Sequence, residues 1–252
     1  MNIAVITGAS SGLGAEYTKA LADSGREIDE IWLIARRYER LKELSSNISK
    51  KTKILCLDLT DENDIVKYEN ELRTNNPNVK ILINNAGFGK LGKVENIDNS
   101  YNRGMIRLNC EALTVLTNIT LKYMKEQSEI INTCSIAAFA PNPNLTVYSA
   151  TKSYVFSFSK ALREELKQRK INVLAVCPGP MDTEFLSVAN ITPGASRTFD
   201  TLPRVKPKDV AAKSLKASFK GRAVYTNRLF YKFYRVVSKI LPHNFVMKVS
   251  KA

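Results

Sequence analysis

A single doubly wound α/β domain is expected for this 252-residue chain, on three grounds. Short, apolar, β-branched runs alternate with segments of helical periodicity from one end to the other. The runs are too uniformly apolar for a sheet wetted on one face, which suits parallel strands covered by helices on both faces. A glycine-rich turn follows the first run at once, where such folds pass from strand to helix.

Seven runs read as strands, at residues 3–6, 31–35, 53–57, 81–84, 130–134, 172–176 and 223–226. Between them, segments such as 13–24, 62–73 and 147–169 have the length and periodicity of helices. Strict alternation implies right-handed crossovers and one parallel sheet. There is no Gly/Ser-rich linker and no internal repeat, so residues 1–252 are taken as one domain, a size at which α/β folds often remain undivided. Residues 181–207 break the rhythm, with Pro193, Gly194 and Pro203 and no clear period. Such a segment is a lid over a binding site or a plain surface loop.

Composition is that of an ordinary soluble protein. No run approaches the roughly 20 apolar residues needed to cross a bilayer, and the chain opens directly on a strand, without the layout of a signal peptide. A cytoplasmic location is expected. Cys56, Cys110, Cys134 and Cys177 lack metal-ligand spacing; three of them sit in strand-like runs and read as buried, reduced thiols. His243 is the lone histidine and reads as a surface residue, so no metal site is expected.

The net charge of +14 is unevenly placed. Ten Lys or Arg and no acidic residue follow Asp209, which leaves only +4 for everything before. A basic tail suits nucleic acid, an anionic membrane, an acidic partner, or simply the solvated face of a terminal helix. Residues 228–241 read as that helix. Leu229, Phe230, Phe233, Tyr234, Val237, Ile240 and Leu241 recur at helical spacing, with Arg228, Lys232, Arg235 and Lys239 on other faces. Docking on its own core or an oligomer contact is preferred here to membrane contact, and no nucleic-acid recognition motif is present.

The turn Thr7-Gly8-Ala9-Ser10-Ser11-Gly12-Leu13-Gly14 lies between the first strand and the first helix. Its glycines permit close backbone approach, and the helix that follows presents free N–H groups and a positive dipole end to a pyrophosphate. At the end of the second strand an acidic residue would accept bonds from a 2′-hydroxyl of a bound dinucleotide. This chain instead has Arg36 and Arg37, whose guanidinium groups suit a 2′-phosphate. NADP(H) is therefore expected in preference to NAD(H).

Downstream, Ser135 ends the fifth apolar run, and Tyr148 and Lys152 stand four residues apart, on one face of a helix. The same spacing at Tyr38 and Lys42 reads as two exposed residues of an ordinary helix. With Thr-Gly-x-x-x-Gly-x-Gly at the start and Asn84-Asn85-Ala86-Gly87 after the fourth strand, the chain resembles the short-chain dehydrogenase/reductase family over nearly its whole length. The resemblance implies a Rossmann fold and hydride transfer between a nicotinamide and a carbonyl or secondary alcohol. It implies a catalytic set of Asn109, Ser135, Tyr148 and Lys152. It also implies cofactor contacts at Gly8, Ser10, Ser11, Gly12, Leu13, Gly14, Asp58, Leu59, Asn85, Ala86, Gly87, Pro178, Gly179 and Thr183, joined by Tyr148 and Lys152.

The chemistry fits these roles. A carbonyl accepting hydride needs a proton at oxygen, and free tyrosine is a weak donor with a pKa near 10. A nearby ammonium favours the phenolate, so Lys152 and an oxidised nicotinamide are expected to draw the Tyr148 pKa down. Ser135 would polarise the carbonyl, and Asn109 would help hold a water near Lys152. Asn84 reads as a structural hydrogen-bonder. Ser11 stands where many NADP-specific members place a basic residue, so the preference for NADP(H) rests on Arg36 and Arg37.

Phe185, Leu186 and Phe199 suggest an apolar lid, with Ala137, Ala138, Phe139 and Pro141 on the other side, suited to a steroid, 3-oxoacyl or aromatic ketone. These aromatics equally suit packing. By resemblance the protein forms a homodimer or homotetramer, with Val155, Phe156, Phe158 and Ser159 at the contact. Two other classes stay open: a non-catalytic NADP(H)-binding sensor, and a membrane-surface lipid reductase that uses the basic tail.

Overall fold

The structure, a computed structural model, describes residues 1–192, 194 and 196–250. Within β1 (Asn2–Thr7) side chains alternate between two cores, Ile3 and Val5 entering one and Ala4 and Ile6 the other. β2 (Glu30–Ala35) repeats the division, with Trp32 and Ile34 on the first side and Ile31 and Leu33 on the second. A strand buried on both faces must be apolar at nearly every position, which is why these runs do not alternate in sequence.

With β3 (Lys51–Cys56), β4 (Asn78–Asn84), β5 (Glu129–Thr133), β6 (Asn172–Val176) and β7 (Val224–Tyr225) they form a seven-stranded sheet in the order β3-β2-β1-β4-β5-β6-β7. Every pairing is parallel.

In chain order the helices are α1 (Gly12–Ala22), α2 (Tyr38–Ser46), α3 (Glu62–Asn75), α4 (Asn99–Ile106), α5 (Leu113–Leu121), α6 (Thr146–Glu165), α7 (Glu184–Val188), α8 (Arg197–Thr201), α9 (Pro207–Phe219), α10 (Leu229–Ile240) and α11 (His243–Ser250). One face of the sheet is covered by Tyr17 of α1, Leu41 of α2 and Leu215 of α9. The other is covered by Tyr68 of α3, Leu116 of α5 and Leu162 of α6. Local signals agree with these boundaries: the Asp61 carboxylate caps α3, and Pro207 opens α9, where its missing N–H costs nothing.

Three buried polar side chains in the two cores are paired, as their desolvation demands. The Tyr17 hydroxyl meets Ser214 at 2.8 Å, that of Tyr68 meets Thr120 at 2.6 Å, and the Trp32 indole donates to Glu30 at 2.8 Å.

Several boundaries move from the sequence expectation. The third strand covers 51–56, not 53–57, and as an edge strand it is only partly covered, so Cys56 is exposed, not buried. Cys134 and Cys177 are buried and Cys110 half-buried, all as free thiols. The last strand shrinks to two residues, and the long helix ends at Glu165, before a turn in which Lys170 takes a φ of 51°. Residues 181–207 are not irregular throughout: they hold α7, α8 and a parallel bridge between Met181 and Val205. Pro193 lies outside the described residues. The tail helix is α10, and α11 follows it after the extended Leu241 and Pro242, with His243 exposed. Among the described residues no helix is long and apolar enough to cross a membrane.

Candidate active site

β1 and β4 are neighbours whose following connections run to opposite ends of the sheet order, so a crevice opens beyond their carboxyl ends. A cavity of about 770 Å³ fills it, lined by the glycine turn on one side and by Ser135, Tyr148 and Lys152 on the other.

The turn is shaped by its glycines. Gly8 and Gly12 take φ of 66° and 52°, and a Cβ on Gly14 would sit 2.1 Å from the carbonyl oxygen of Gly8. Ser11 precedes α1 without a side-chain cap, which leaves the first-turn amides facing the crevice region. Leu13 is buried in the core beneath. The Thr7 hydroxyl ties the turn to the end of β4, accepting from the backbone N–H of Asn85 at 2.9 Å and of Ala86 at 3.0 Å. The Asn85 amide donates in return to the carbonyl of Thr7 at 3.2 Å.

These contacts give the Asn84–Gly87 segment distinct roles. Asn84 donates to Thr117 and Asn132, both at 2.9 Å, and is the structural hydrogen-bonder expected. Gly87 makes room for two polar side chains: a Cβ there would lie 2.9 Å from Asn109 Oδ1 and 3.5 Å from Lys152 Nζ.

Just beyond β2 Arg36 is 74% exposed and lies 3.7 Å from Asp58. Burial pushes the Asp58 carboxyl up, but two bonds from Thr60 and the Arg36 charge outweigh it, so it lies below the usual carboxylate range. Leu59 lines the same wall. Arg37 crosses the mouth of the turn, donating to Ser10 at 3.0 Å and Ser11 at 2.7 Å. Its other terminal nitrogen reaches Glu184 at 2.8 Å, and Arg40 bonds the second oxygen of the same carboxylate. These guanidinium groups, Arg40 first, hold Glu184 down to about 2.

Asn109 lies in a widened helical turn, Arg107–Ala112, between α4 and α5. Its amide is fully engaged: it accepts from Phe88 N–H at 3.1 Å and donates to the Phe88 carbonyl at 2.9 Å and the Thr151 hydroxyl at 3.0 Å. Ser135 caps the short turn Ile136–Ala138, accepting from Ala137 N–H at 3.1 Å, and its side chain bonds the Tyr148 phenol.

Lys152 donates to the Thr133 carbonyl at 2.8 Å and stands 5.7 Å from the Tyr148 ring centre. Burial pulls the Lys152 pKa down. Burial also pushes the Tyr148 phenol up, with the Ser135 hydrogen bond opposing. The chain by itself therefore holds the phenol protonated.

Phe185 of α7 stacks at a tilt on Tyr148, ring centres 5.4 Å apart, and Phe199 packs on the same cluster, while Leu186 lines the cavity. Opposite them the wall is Ile136, Ala137, Asn142 and Leu145. Of the residues expected there only Ala137 lines it. Phe139 turns away to pack on Phe156 and Tyr234, Ala138 joins that cluster, and Pro141 is exposed.

Pro178, Gly179 and Thr183 lie on the remaining side of the cavity. Thr183 caps α7 and rests on Gly12, while Gly179 N–H donates to Asn227 at 3.0 Å. A Cβ on Gly179 would fall 2.3 Å from the ring of Tyr231, a fully buried residue of α10 whose hydroxyl donates to the Pro203 carbonyl at 2.7 Å. Arg40, Glu184 and Tyr231 were not singled out from sequence. Arg40 lies one helical turn beyond Arg37, a signal that was readable; the other two meet the site only through tertiary contacts.

A sequence profile described as short chain dehydrogenase matches residues 2–193. The very-long-chain 3-oxoacyl-CoA reductase of Bos taurus is 33% identical over 200 residues, covering 75% of this chain and 62% of the bovine protein, so the match spans less than two thirds of that relative. Sulfoacetaldehyde reductase 2 of Chromohalobacter salexigens is 33% identical over 220 residues, covering 83% of this chain and 85% of the other. A solved short-chain dehydrogenase from Sphingobium yanoikuyae, in complex with NADPH, matches with a TM-score of 0.80 at 28% identity over 98% of this chain and 96% of that one.

Proposed function

For a chain that belongs to the short-chain dehydrogenase family, we propose NADP(H)-dependent hydride transfer between the nicotinamide and a carbonyl or secondary alcohol of an apolar substrate. One observation carries the reading: Ser135, Tyr148 and Lys152 open onto the same cavity as the glycine turn and the arginines after β2.

The residues fit a dinucleotide. The glycine cradle, closed to any Cβ at Gly14, and the uncapped start of α1 suit a pyrophosphate. Arg36, Arg37 and Arg40 suit a 2′-phosphate, which supports NADP(H) over NAD(H). When bound, the reduced nicotinamide supplies the hydride.

The chain supplies the rest. Ser135 donates a hydrogen bond to the substrate oxygen and fixes the carbonyl for attack. Tyr148 then gives its phenolic proton to the developing alkoxide, and the burial that keeps this phenol neutral keeps the acid loaded. In the reverse direction the tyrosinate accepts that proton. Lys152, anchored on Thr133, would hold the cofactor ribose with its remaining donors, and it relays a proton drawn from solvent to Tyr148. Asn109 holds the Phe88 backbone and the α6 residue Thr151, fixing the distance between the Gly87 turn and Lys152.

Phe185, Phe199 and Leu145 around Tyr148 support a bulky apolar ketone, whether steroid, 3-oxoacyl or aromatic. An oligomer is supported by the outward side of α5 and α6, where Val115 and Tyr154 are exposed. Val155 and Ser159, expected at that contact, are instead buried in the chain's own interior.

The test is NADPH consumption, with NADH in parallel, across steroid, 3-oxoacyl, aromatic and small aliphatic carbonyls, for wild type and Tyr148→Phe. Turnover that prefers NADPH and collapses in the variant upholds the reading. Failure to bind either cofactor overturns it.

A further inference from the structure

With 3.6 residues per turn, Tyr231, Tyr234 and Ser238 share one face of α10, while Leu229, Phe233, Val236 and Ile240 share the opposite one. The fold uses the first face. Tyr231 and Ser238 are buried, and Tyr231 is locked between Gly179 and the Pro203 carbonyl. The helix therefore cannot roll its other face inward.

That other face is apolar and turned outward: Leu229 is 81% exposed, Phe233 68% and Ile240 74%, with Val236 and Phe230 more than half exposed and Phe245 of α11 beyond them. Docking on the chain's own core, preferred from sequence, thus accounts for only half of this helix. A contiguous apolar stripe of this kind marks an interaction surface.

Charge identifies the occupant. Lys232, Arg235 and Lys239 line one flank of the stripe, and no acidic residue follows Asp209 anywhere in the chain. A second copy meeting this face across a two-fold axis would set a basic rim against a basic rim, with no carboxylate from the tail to neutralise it. An anionic lipid surface offers hydrocarbon to the stripe and negative headgroups to the flank at once.

We infer that α10 docks the protein peripherally on anionic lipid, its Leu229–Phe233–Val236–Ile240 face in the acyl boundary. Phe230 and Tyr234 of the same helix line the cavity. Given the reductase reading, an apolar substrate held in the bilayer would thus meet the cavity beside the docked helix. The docking itself does not depend on that reading.

Flotation with vesicles of phosphatidylcholine alone, and of equal parts phosphatidylcholine and phosphatidylglycerol, tests the inference without using turnover, so its failure and a failure of the reductase reading are separable. The wild type is expected to float with the mixed vesicles and not with the neutral ones. Lys232→Gln and Lys239→Gln should each weaken binding about fivefold. Phe233→Asn/Ile240→Asn should abolish it while cofactor binding and the melting temperature, which report folding, are retained. Wild-type protein that ignores both vesicles, or binds them equally, overturns the proposal. So does an oligomer in sedimentation that the Phe233→Asn/Ile240→Asn variant dissolves, since the stripe is then covered by a second copy.

Discussion

Arg37 and Glu184 lie 2.8 Å apart, joining the end of β2 to the first turn of α7 across 147 residues of chain. Both side chains are more than a third exposed, so the pair contributes under about 1 kcal/mol to stability. Its significance is local. The guanidinium groups suited to a 2′-phosphate already hold a carboxylate. Since the Glu184 carboxyl is drawn from 4.5 to about 2, the clasp is complete above the unfolded value and is lost only as pH falls from 4.5 toward 2.

Glu184→Gln should therefore release Arg37 and Arg40 and tighten NADPH binding several-fold, leaving NADH unchanged. Arg37→Ala and Arg40→Ala should each weaken NADPH by about tenfold, again with little effect on NADH. Fluorescence titration of both cofactors against the three variants checks the pattern; equal effects on NADH would place the arginines elsewhere than at the 2′-phosphate.

Gly14→Ala should abolish cofactor binding and lower stability by about 3 kcal/mol or more. The added methyl meets backbone, the Gly8 carbonyl at 2.1 Å, and backbone cannot move aside as a flexible side chain would. Urea midpoints and NADPH titration read the two effects separately.

Tyr231→Phe keeps the ring on Gly179 and removes only the bond to Pro203, so it should cost about 1 kcal/mol and raise KM for an apolar substrate more than it lowers kcat. Gly179→Ala expels the ring itself, from a contact of 2.3 Å, and should free α10 for cleavage near Arg228 in limited proteolysis. A Gly179→Ala protein as protease-resistant as wild type would contradict this.

Burial raises the phenols of Tyr17, Tyr68 and Tyr148 well above 10.0. In the unfolded chain they ionise near pH 10, while in the folded chain they keep their protons. Above that pH the unfolded state binds fewer protons, so stability falls as pH rises, and below it these groups add no pH dependence. Urea midpoints should decline as pH rises above about 10 and stay level below, and Tyr17→Phe should make the decline shallower.

What could be read from sequence was what repeats locally. The strands were legible because burial on both faces forces unbroken apolar runs, and the glycine turn because no Cβ fits beside Gly8. Tyr148 and Lys152 were legible because one helix carries both. Phe139, expected in the cavity wall, was misplaced because the short turn Ile136–Ala138 after Ser135 carries it onto Phe156 and Tyr234, and local spacing does not encode that placement. Glu184 and Tyr231 escaped because each acquires its meaning from a partner on a distant segment. The ordered helices within 181–207 are five residues each, too short to show a period.

Trp32, the single tryptophan, is fully enclosed in β2, the strand that delivers Arg36 and Arg37 to the mouth of the cavity. Nature has thereby installed one chromophore in a rigid, dry position a few residues from the expected adenosine end. Its emission overlaps the absorption of a reduced nicotinamide, so light absorbed at Trp32 can leave through a bound NADPH. Occupancy of the crevice is then visible as quenching, and loss of the fold as a red shift, in one unlabelled sample.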